Sequence, residues 1–241
     1  MGRDLAGFYD SAYARGGERH ARWRELGARG KADHVVELVP SAGRVVEIGC
    51  GDGALLGELS RRGFGESLSG YEISETAVEL ARTRAIPRVE RLETFDGHAL
   101  PTADRSFDLA VLSHVLEHVP DPVPLLREAA RVARRVLVEV PLERNLSGRR
   151  GVSRERSSEA GHLDALDRVA VRTLVADAGL RVERELLDPL PREVHTFFAD
   201  TAAARARGLA KAALRRGVFA VSEGAAERAF TLHYAALCVP G

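Results

Sequence analysis

From Arg44 onward, short apolar runs rich in β-branched residues alternate with stretches whose apolar positions recur every three or four residues. The first pattern is that of a strand buried on both faces and the second that of a helix covering one face. Their alternation predicts a mostly parallel sheet flanked by helices. Seven strands are expected, over 44–48, 68–73, 89–92, 107–113, 135–140, 180–187 and 230–239, with helices over 54–62, 75–84, 122–134 and 168–178. The punctuation agrees: Ser74 is placed to cap the second helix, Asp121 with Pro122 to open the third, and Gly179 to end the fourth.

Three stretches fall outside the alternation. Residues 1–40 read as one or two helices carrying Phe8, Tyr9, Tyr13 and Trp23, the sole tryptophan. Residues 142–165, rich in Arg, Ser and Gly, read as a mobile loop. Residues 188–228 open on a proline-punctuated turn and continue into a helix near 202–215. Its apolar side is read as Ala202, Ala206, Leu209 and Ala213, and its solvated side as Arg205, Lys211 and Arg215. The 241 residues, 45% apolar, suffice for one substantial core. One domain is therefore expected over 1–241: an N-terminal helical cap (1–40), a core (44–187), insertions at 142–165 and 188–228, and a last strand at 230–239.

Charge and cysteine usage narrow the partners. Formal net charge is zero, which removes a bulk electrostatic case for nucleic acid or an anionic membrane surface. Cys50 and Cys238 lie far apart and form neither a metal-ligand pair nor a disulfide framework, as expected in a reducing compartment. The N-terminus lacks an apolar signal region, and no segment approaches the roughly 20 apolar residues that span a bilayer. A cytoplasmic location is expected; oligomeric state is left open.

The most informative segment is Val45-Val46-Glu47-Ile48-Gly49-Cys50-Gly51-Asp52-Gly53. A buried strand runs into a glycine-rich turn that opens a helix, so a ligand can approach the backbone where side chains would clash. The spacing Gly-x-Gly-x-Gly is tighter than the Gly-x-Gly-x-x-Gly of dinucleotide folds. About twenty residues on, Glu72 closes the second strand, where a carboxylate accepts from both hydroxyls of a ribose. Asp96-Gly97-His98 follows the third strand and Ser113 ends the fourth, so four elements converge at the carboxyl edge of the sheet.

With these motifs, and with Ser113-His114-Val115-Leu116-Glu117-His118-Val119-Pro120-Asp121-Pro122, the chain resembles the class I S-adenosylmethionine-dependent methyltransferases. The branch it resembles holds ubiquinone-biosynthesis O-methyltransferases and antibiotic-tailoring enzymes. The resemblance implies a Rossmann-like α/β fold and S-adenosyl-L-methionine as cofactor. It implies that Glu47, Gly49, Cys50 and Gly51 line the methionine and ribose moieties, Glu72 and Ile73 the ribose and adenine, Asp96 and Gly97 the adenine, and Ser113 the floor near the sulfonium.

Methyl transfer from a sulfonium is an in-line displacement in which the protein chiefly aligns a nucleophile, and a base helps when that nucleophile carries a proton. Glu117, His118 and His162 are the expected base group, with His114 beside them. No metal is assigned, and a divalent ion at this group is the lesser alternative, since the resembling ubiquinone enzymes carry Glu where this chain has His114. The match of His114-x-x-Glu117-His118 to an inverted metalloprotease signature is read as coincidence. Tyr9, Tyr13 and Trp23 are either a lid over the cofactor or the core of the N-terminal helices. The expected acceptor is an O or N nucleophile of a small-molecule metabolite, as in natural-product tailoring. RNA is the alternative, motivated by Arg144, Arg149, Arg150, Arg154 and Arg156, a run without aromatics for base stacking. A non-catalytic cofactor-binding subunit is the third reading.

Overall fold

A computed structural model describes residues 4–149, 155 and 159–241. Two helices come first, α1 (Leu5–Arg15) and α2 (Gly17–Leu38), and strand β1 (Arg44–Ile48) leads into α3 (Ala54–Arg61). Then follow β2 (Ser67–Glu72), α4 (Glu75–Thr83), β3 (Val89–Thr94) and β4 (Phe107–Ser113). A 3-10 turn (Leu116–His118) precedes α5 (Pro122–Val132), β5 (Ala133–Leu142), α6 (Arg168–Asp177) and β6 (Leu180–Asp188). The chain closes with α7 (Arg192–Thr196), α8 (Ala202–Val221), α9 (Glu223–Ala229) and β7 (Leu232–Pro240). Among the described residues the strands form one seven-stranded sheet in the order β3-β2-β1-β4-β5-β7-β6, in which β7 runs opposite to the other six. This is the expected Rossmann-like α/β fold.

The strands are apolar on both faces because both are covered. Val45, Leu109, Leu137 and Leu237 pack beneath α2 and α3, together with Val35, Leu38, Leu55, Leu56 and Leu59. Val46, Leu112, Val138 and Ala236 face α5 and α6, where Leu125, Leu126, Ala129, Val132, Val171 and Val175 are buried. Each such aliphatic side chain withdrawn from water contributes about 1.5–3 kcal/mol. The caps are those expected: Ser74 Oγ accepts from the Ala77 amide, Asp121 Oδ1 from the Val123 amide, and Gly179, at φ +80°, ends α6.

Two readings need correction. The third core helix stops at Val132, not 134, because Ala133 pairs with Phe107 and the β4–β5 ladder draws the chain into strand two residues early. The inward face of α8 is Gly208, Ala212 and Arg215, not the stripe through Leu209, which is 43% exposed. Alanine-rich helices carry little amphipathic signal. Gly208 packs so closely on the carbonyl of His195 that a Cβ there would collide with it, and this contact selects the face. Arg215, read as solvated, is buried with its guanidinium 5.1 Å from the Phe230 ring centroid. Of the expected mobile loop over 142–165, residues 150–154 and 156–158 lie outside the described residues; Leu142 ends β5, and the Leu146 and Ser147 amides donate to the Arg228 and Ala229 carbonyls at 3.0 and 3.1 Å, which ties the start of the stretch to the end of α9. Among the described residues no helix is long and apolar enough to cross a membrane.

Candidate active site

The sheet order reverses between β1 and β4, and ligands of open α/β sheets sit at such a reversal, beyond the carboxyl ends of the strands. The glycine turn lies there. Gly49, Gly51 and Gly53 have φ of +78°, +52° and +74°, a region other residues avoid. A Cβ on Gly49 would stand 2.6 Å from Val115 Cγ2, and one on Gly51 would strike the Tyr13 hydroxyl. Glu72 braces the turn: Oε2 accepts from the Gly51 amide at 2.9 Å, and Oε1 from the Ile73 and Ser74 amides at 2.8 and 3.1 Å. Burial raises its carboxyl above the usual range, against those three bonds.

The other expected cofactor residues gather at this edge. A Cβ on Gly97 would lie 3.5 Å from Ile73 Cγ2, so the ends of β2 and β3 form one wall. Asp96 is exposed; its Oδ1 accepts from the His98 and Ala99 amides at 2.8 and 2.9 Å, which lowers its pKa, and Oδ2 takes no part in that turn. Glu47 is 4% exposed, its Oε2 has no hydrogen-bond partner among the described residues, and burial raises its carboxyl, opposed by Lys31. Cys50 departs from expectation: its thiol turns into the core, where a Cβ on Gly70 would lie 2.7 Å from Sγ, so only its backbone faces the turn. Ser113 commits its hydroxyl to Glu139 Oε2 at 3.0 Å.

The N-terminal aromatics divide between the glycine turn and the packing of α2. Asp10 Oδ1 accepts from Ser74 Oγ at 2.7 Å and from the Thr76 amide at 3.1 Å, which fixes α1 across the end of β2. Tyr13 then lies over the glycine turn, with the Arg24 guanidinium 5.0 Å from its ring and bonded through Nε to Asp52 at 2.8 Å. Tyr9 stands edge-on to His118, with centroids 5.7 Å apart. Trp23 instead packs on Phe197 and Phe198 at 5.2 and 5.1 Å, joining α2 to the insertion that follows β6.

Glu117, His118 and His162 meet, with ligand atoms all within 4.8 Å of one another. The 3-10 turn after β4 presents the first two, and the Leu163 amide donates to the Glu117 carbonyl at 2.8 Å, returning the third to them. Glu117 is 1% exposed, neither carboxylate oxygen has a hydrogen-bond partner among the described residues, and burial pushes its pKa up to about 7. His118 is pushed down to about 4 by burial and then by His162, so its ring is neutral. Burial also opposes charge on His162, but Glu143 at 2.8 Å outweighs it and raises that imidazole. A neutral imidazole and a carboxyl poised near neutrality, beside an ion pair, can accept a proton near pH 7.

Sequence reasoning missed a second group next to this one: His34 on α2, Glu139 on β5, Asp188 at the end of β6 and His233 on β7. His34 Nδ1 and Nε2 lie 3.2 Å from Glu139 and Asp188, and these bonds override burial and push the imidazole up to about 10. One signal was available. Glu139 is the single charge in the apolar run Val136–Val140, and a fully buried carboxylate requires partners.

The family model for the methyltransferase domain matches residues 18–185, more than half of the chain. The chain belongs to the methyltransferase domain family. Members take their methyl group from S-adenosylmethionine, and the residues present fit it: a turn of three glycines at the carboxyl edge, the buried carboxylate of Glu72 at the end of β2, and in Glu47 a buried oxygen with no donor among the described residues. The ubiquinone biosynthesis O-methyltransferase of Aeromonas salmonicida is 34% identical over 95 residues, 38% of this chain and 39% of the relative. A 37.1 kDa transposon protein of Streptomyces fradiae is 41% identical over 92 residues, 37% of this chain and 26% of that protein. The matches thus span well under half of these relatives' length. Among solved structures, the geranyl diphosphate C-methyltransferase of Streptomyces coelicolor superposes with a TM-score of 0.64 at 13% identity, covering 88% of this chain and 80% of that one. The putative methyltransferase bound to the Haloferax volcanii Trm112 activator gives 0.63 at 20%, covering 100% and 99%. Identities this low show the fold alone.

Proposed function

We propose that this methyltransferase domain transfers a methyl group from S-adenosylmethionine to an oxygen or nitrogen of a small-molecule metabolite, with Glu117 as proton acceptor. The observation that carries the reading is the Glu117 carboxylate: buried, without a hydrogen-bond partner among the described residues, and raised to about 7 beside the carboxyl end of β4. A buried carboxylate left unpaired costs stability, and active sites are where such costs are retained. The bound cofactor supplies an activated methyl carbon. Glu47 and the glycine turn would hold its methionine portion, Glu72 its ribose, and Ile73, Asp96 and Gly97 its adenine. Glu117 withdraws the proton from the acceptor atom as that atom attacks. His118 stays neutral against it, and the His162–Glu143 pair keeps a compensating charge nearby. Tyr9 and Tyr13 on α1 exclude water from the reacting centre.

Incubating the protein with methyl-labelled S-adenosylmethionine and fractionated host extract tests this. Label is expected in the low-mass fraction, at a rate reduced 10²-fold or more in Glu117→Gln and His118→Ala while calorimetric cofactor affinity stays near wild type. Label in RNA, or undiminished turnover in both variants, overturns it.

A further inference from the structure

The group missed in the sequence has the geometry of a metal centre. Three imidazoles from separate elements, His34 on α2, His114 after β4 and His233 on β7, surround one buried carboxylate oxygen, Glu139 Oε1. The approaching nitrogens lie at 3.2 Å (His34 Nδ1), 3.3 Å (His233 Nδ1) and 3.8 Å (His114 Nε2). His114 Nε2 is buried and has no hydrogen-bond partner among the described residues. In a tetrahedral site with bonds of about 2.0–2.1 Å, neighbouring ligand atoms stand about 3.3 Å apart, and the His34 and His233 nitrogens stand 3.2 and 3.3 Å from Glu139 Oε1. The ligand atoms of His34, Glu139 and His233 all lie within 4.8 Å of one another.

The surrounding bonds follow the same pattern. A metal-bound histidine usually donates its second ring N–H to a carboxylate, and a ligating carboxylate is itself hydrogen-bonded. His34 Nε2 lies 3.2 Å from Asp188 Oδ2, and Glu139 Oε2, the oxygen turned away from the imidazoles, accepts from Ser113 Oγ at 3.0 Å. The parts come from α2, β4, β5, β6 and β7, so sheet and cap must both be assembled before the set exists.

We propose that His34, Glu139 and His233 bind a divalent transition-metal ion of the zinc class, with His114 Nε2 facing the fourth coordination position. Two imidazoles and a carboxylate are a ligand set that zinc accepts, and they leave that position open to His114 or water. This site is separate from Glu117, His118 and His162 and does not depend on what the chain methylates. Its link to them is His114, whose Nδ1 lies 3.3 Å from Glu117 Oε1. An ion engaging Nε2 would keep the proton on Nδ1, facing that carboxylate.

The test uses the full chain stripped with chelator and reloaded with Zn2+, or with Co2+ for its visible spectrum. One equivalent is expected to survive desalting, with the intense absorption of four-coordinate Co2+ and a chelator-reversible rise in melting temperature. His233→Ala should weaken binding at least 100-fold, and Asp188→Asn, which keeps every ligand, 10- to 100-fold. His118→Ala should leave stoichiometry and spectrum unchanged. Circular dichroism of the metal-free variants confirms that each is folded. No retained ion in the wild type, or an ion lost in His118→Ala and kept in His233→Ala, overturns the assignment.

Discussion

Replacing Glu117 by Gln should stabilise the protein at high pH, an outcome that distinguishes a poised base from a structural anchor. The side chain is 1% exposed, and burial moves its carboxyl from an ordinary 4.5 to about 7. Below about pH 4.5 the group is neutral folded and unfolded, so it costs nothing. As pH rises toward 7 the unfolded chain ionises and the folded one does not, and stability falls. Above 7 the whole penalty, about 3 kcal/mol, is present. Glutamine never ionises. The difference in unfolding free energy between Glu117→Gln and wild type should therefore grow by about 3 kcal/mol between about pH 4 and pH 8, measured by urea denaturation at each pH. Any fixed cost of the amide cancels from that change, as do the titrations that Glu117 does not influence; His162, whose imidazole that carboxylate helps to raise, is measured alongside by NMR in both proteins. A difference that does not vary with pH would show that Glu117 titrates as an ordinary carboxylate, and the proton-acceptor argument would fall with it. Because the assay needs no substrate, it can precede identification of the acceptor.

Glu72→Ala removes the acceptor of three backbone amides and the carboxylate proposed to hold the ribose. With charge-assisted bonds worth roughly 1.5–3 kcal/mol each, cofactor affinity measured by calorimetry should fall at least about tenfold, and unchanged affinity would reduce Glu72 to a brace for the turn. Gly51→Ala places a Cβ at φ +52° and into the Tyr13 hydroxyl; amide exchange over residues 5–15 should accelerate, and undiminished protection would mean α1 docks without Tyr13. Leu126→Ala, at a fully buried position of α5, should cost about 2–5 kcal/mol in denaturant unfolding, and a cost well under 1 kcal/mol would mean that the α5–sheet packing is misdescribed.

The features legible in the sequence are those written within one stretch of chain. Strand and helix periods, the caps at Ser74 and Asp121, and the glycine turn depend on residues a few positions apart, and they fall where expected. Glu117 with His118 was legible for the same reason. The misplaced boundary of α5 and the misread face of α8 have the opposite origin: in each a distant partner, Phe107 for Ala133 and His195 for Gly208, overrides a weak local preference.

The missed histidines show where that boundary lies. Sequence pattern marks β5 and β7 as strands but carries no information on which strand joins which, or in what register. In the sheet β7 runs antiparallel to β5 with Ala235 opposite Glu139, and His233, two residues earlier on the same face, is thereby carried to the carboxyl edge beside Ser113 and His114. A shift of one residue would turn His233 to the opposite face. His34 reaches the same point only because α2 packs its Val35 and Leu38 face on Leu137 and Leu237. Three independent packing choices thus converge on one buried carboxylate. Left unpaired, a buried Glu139 would cost several kcal/mol, so the histidines together with the Ser113 hydroxyl are what let that strand carry a charge.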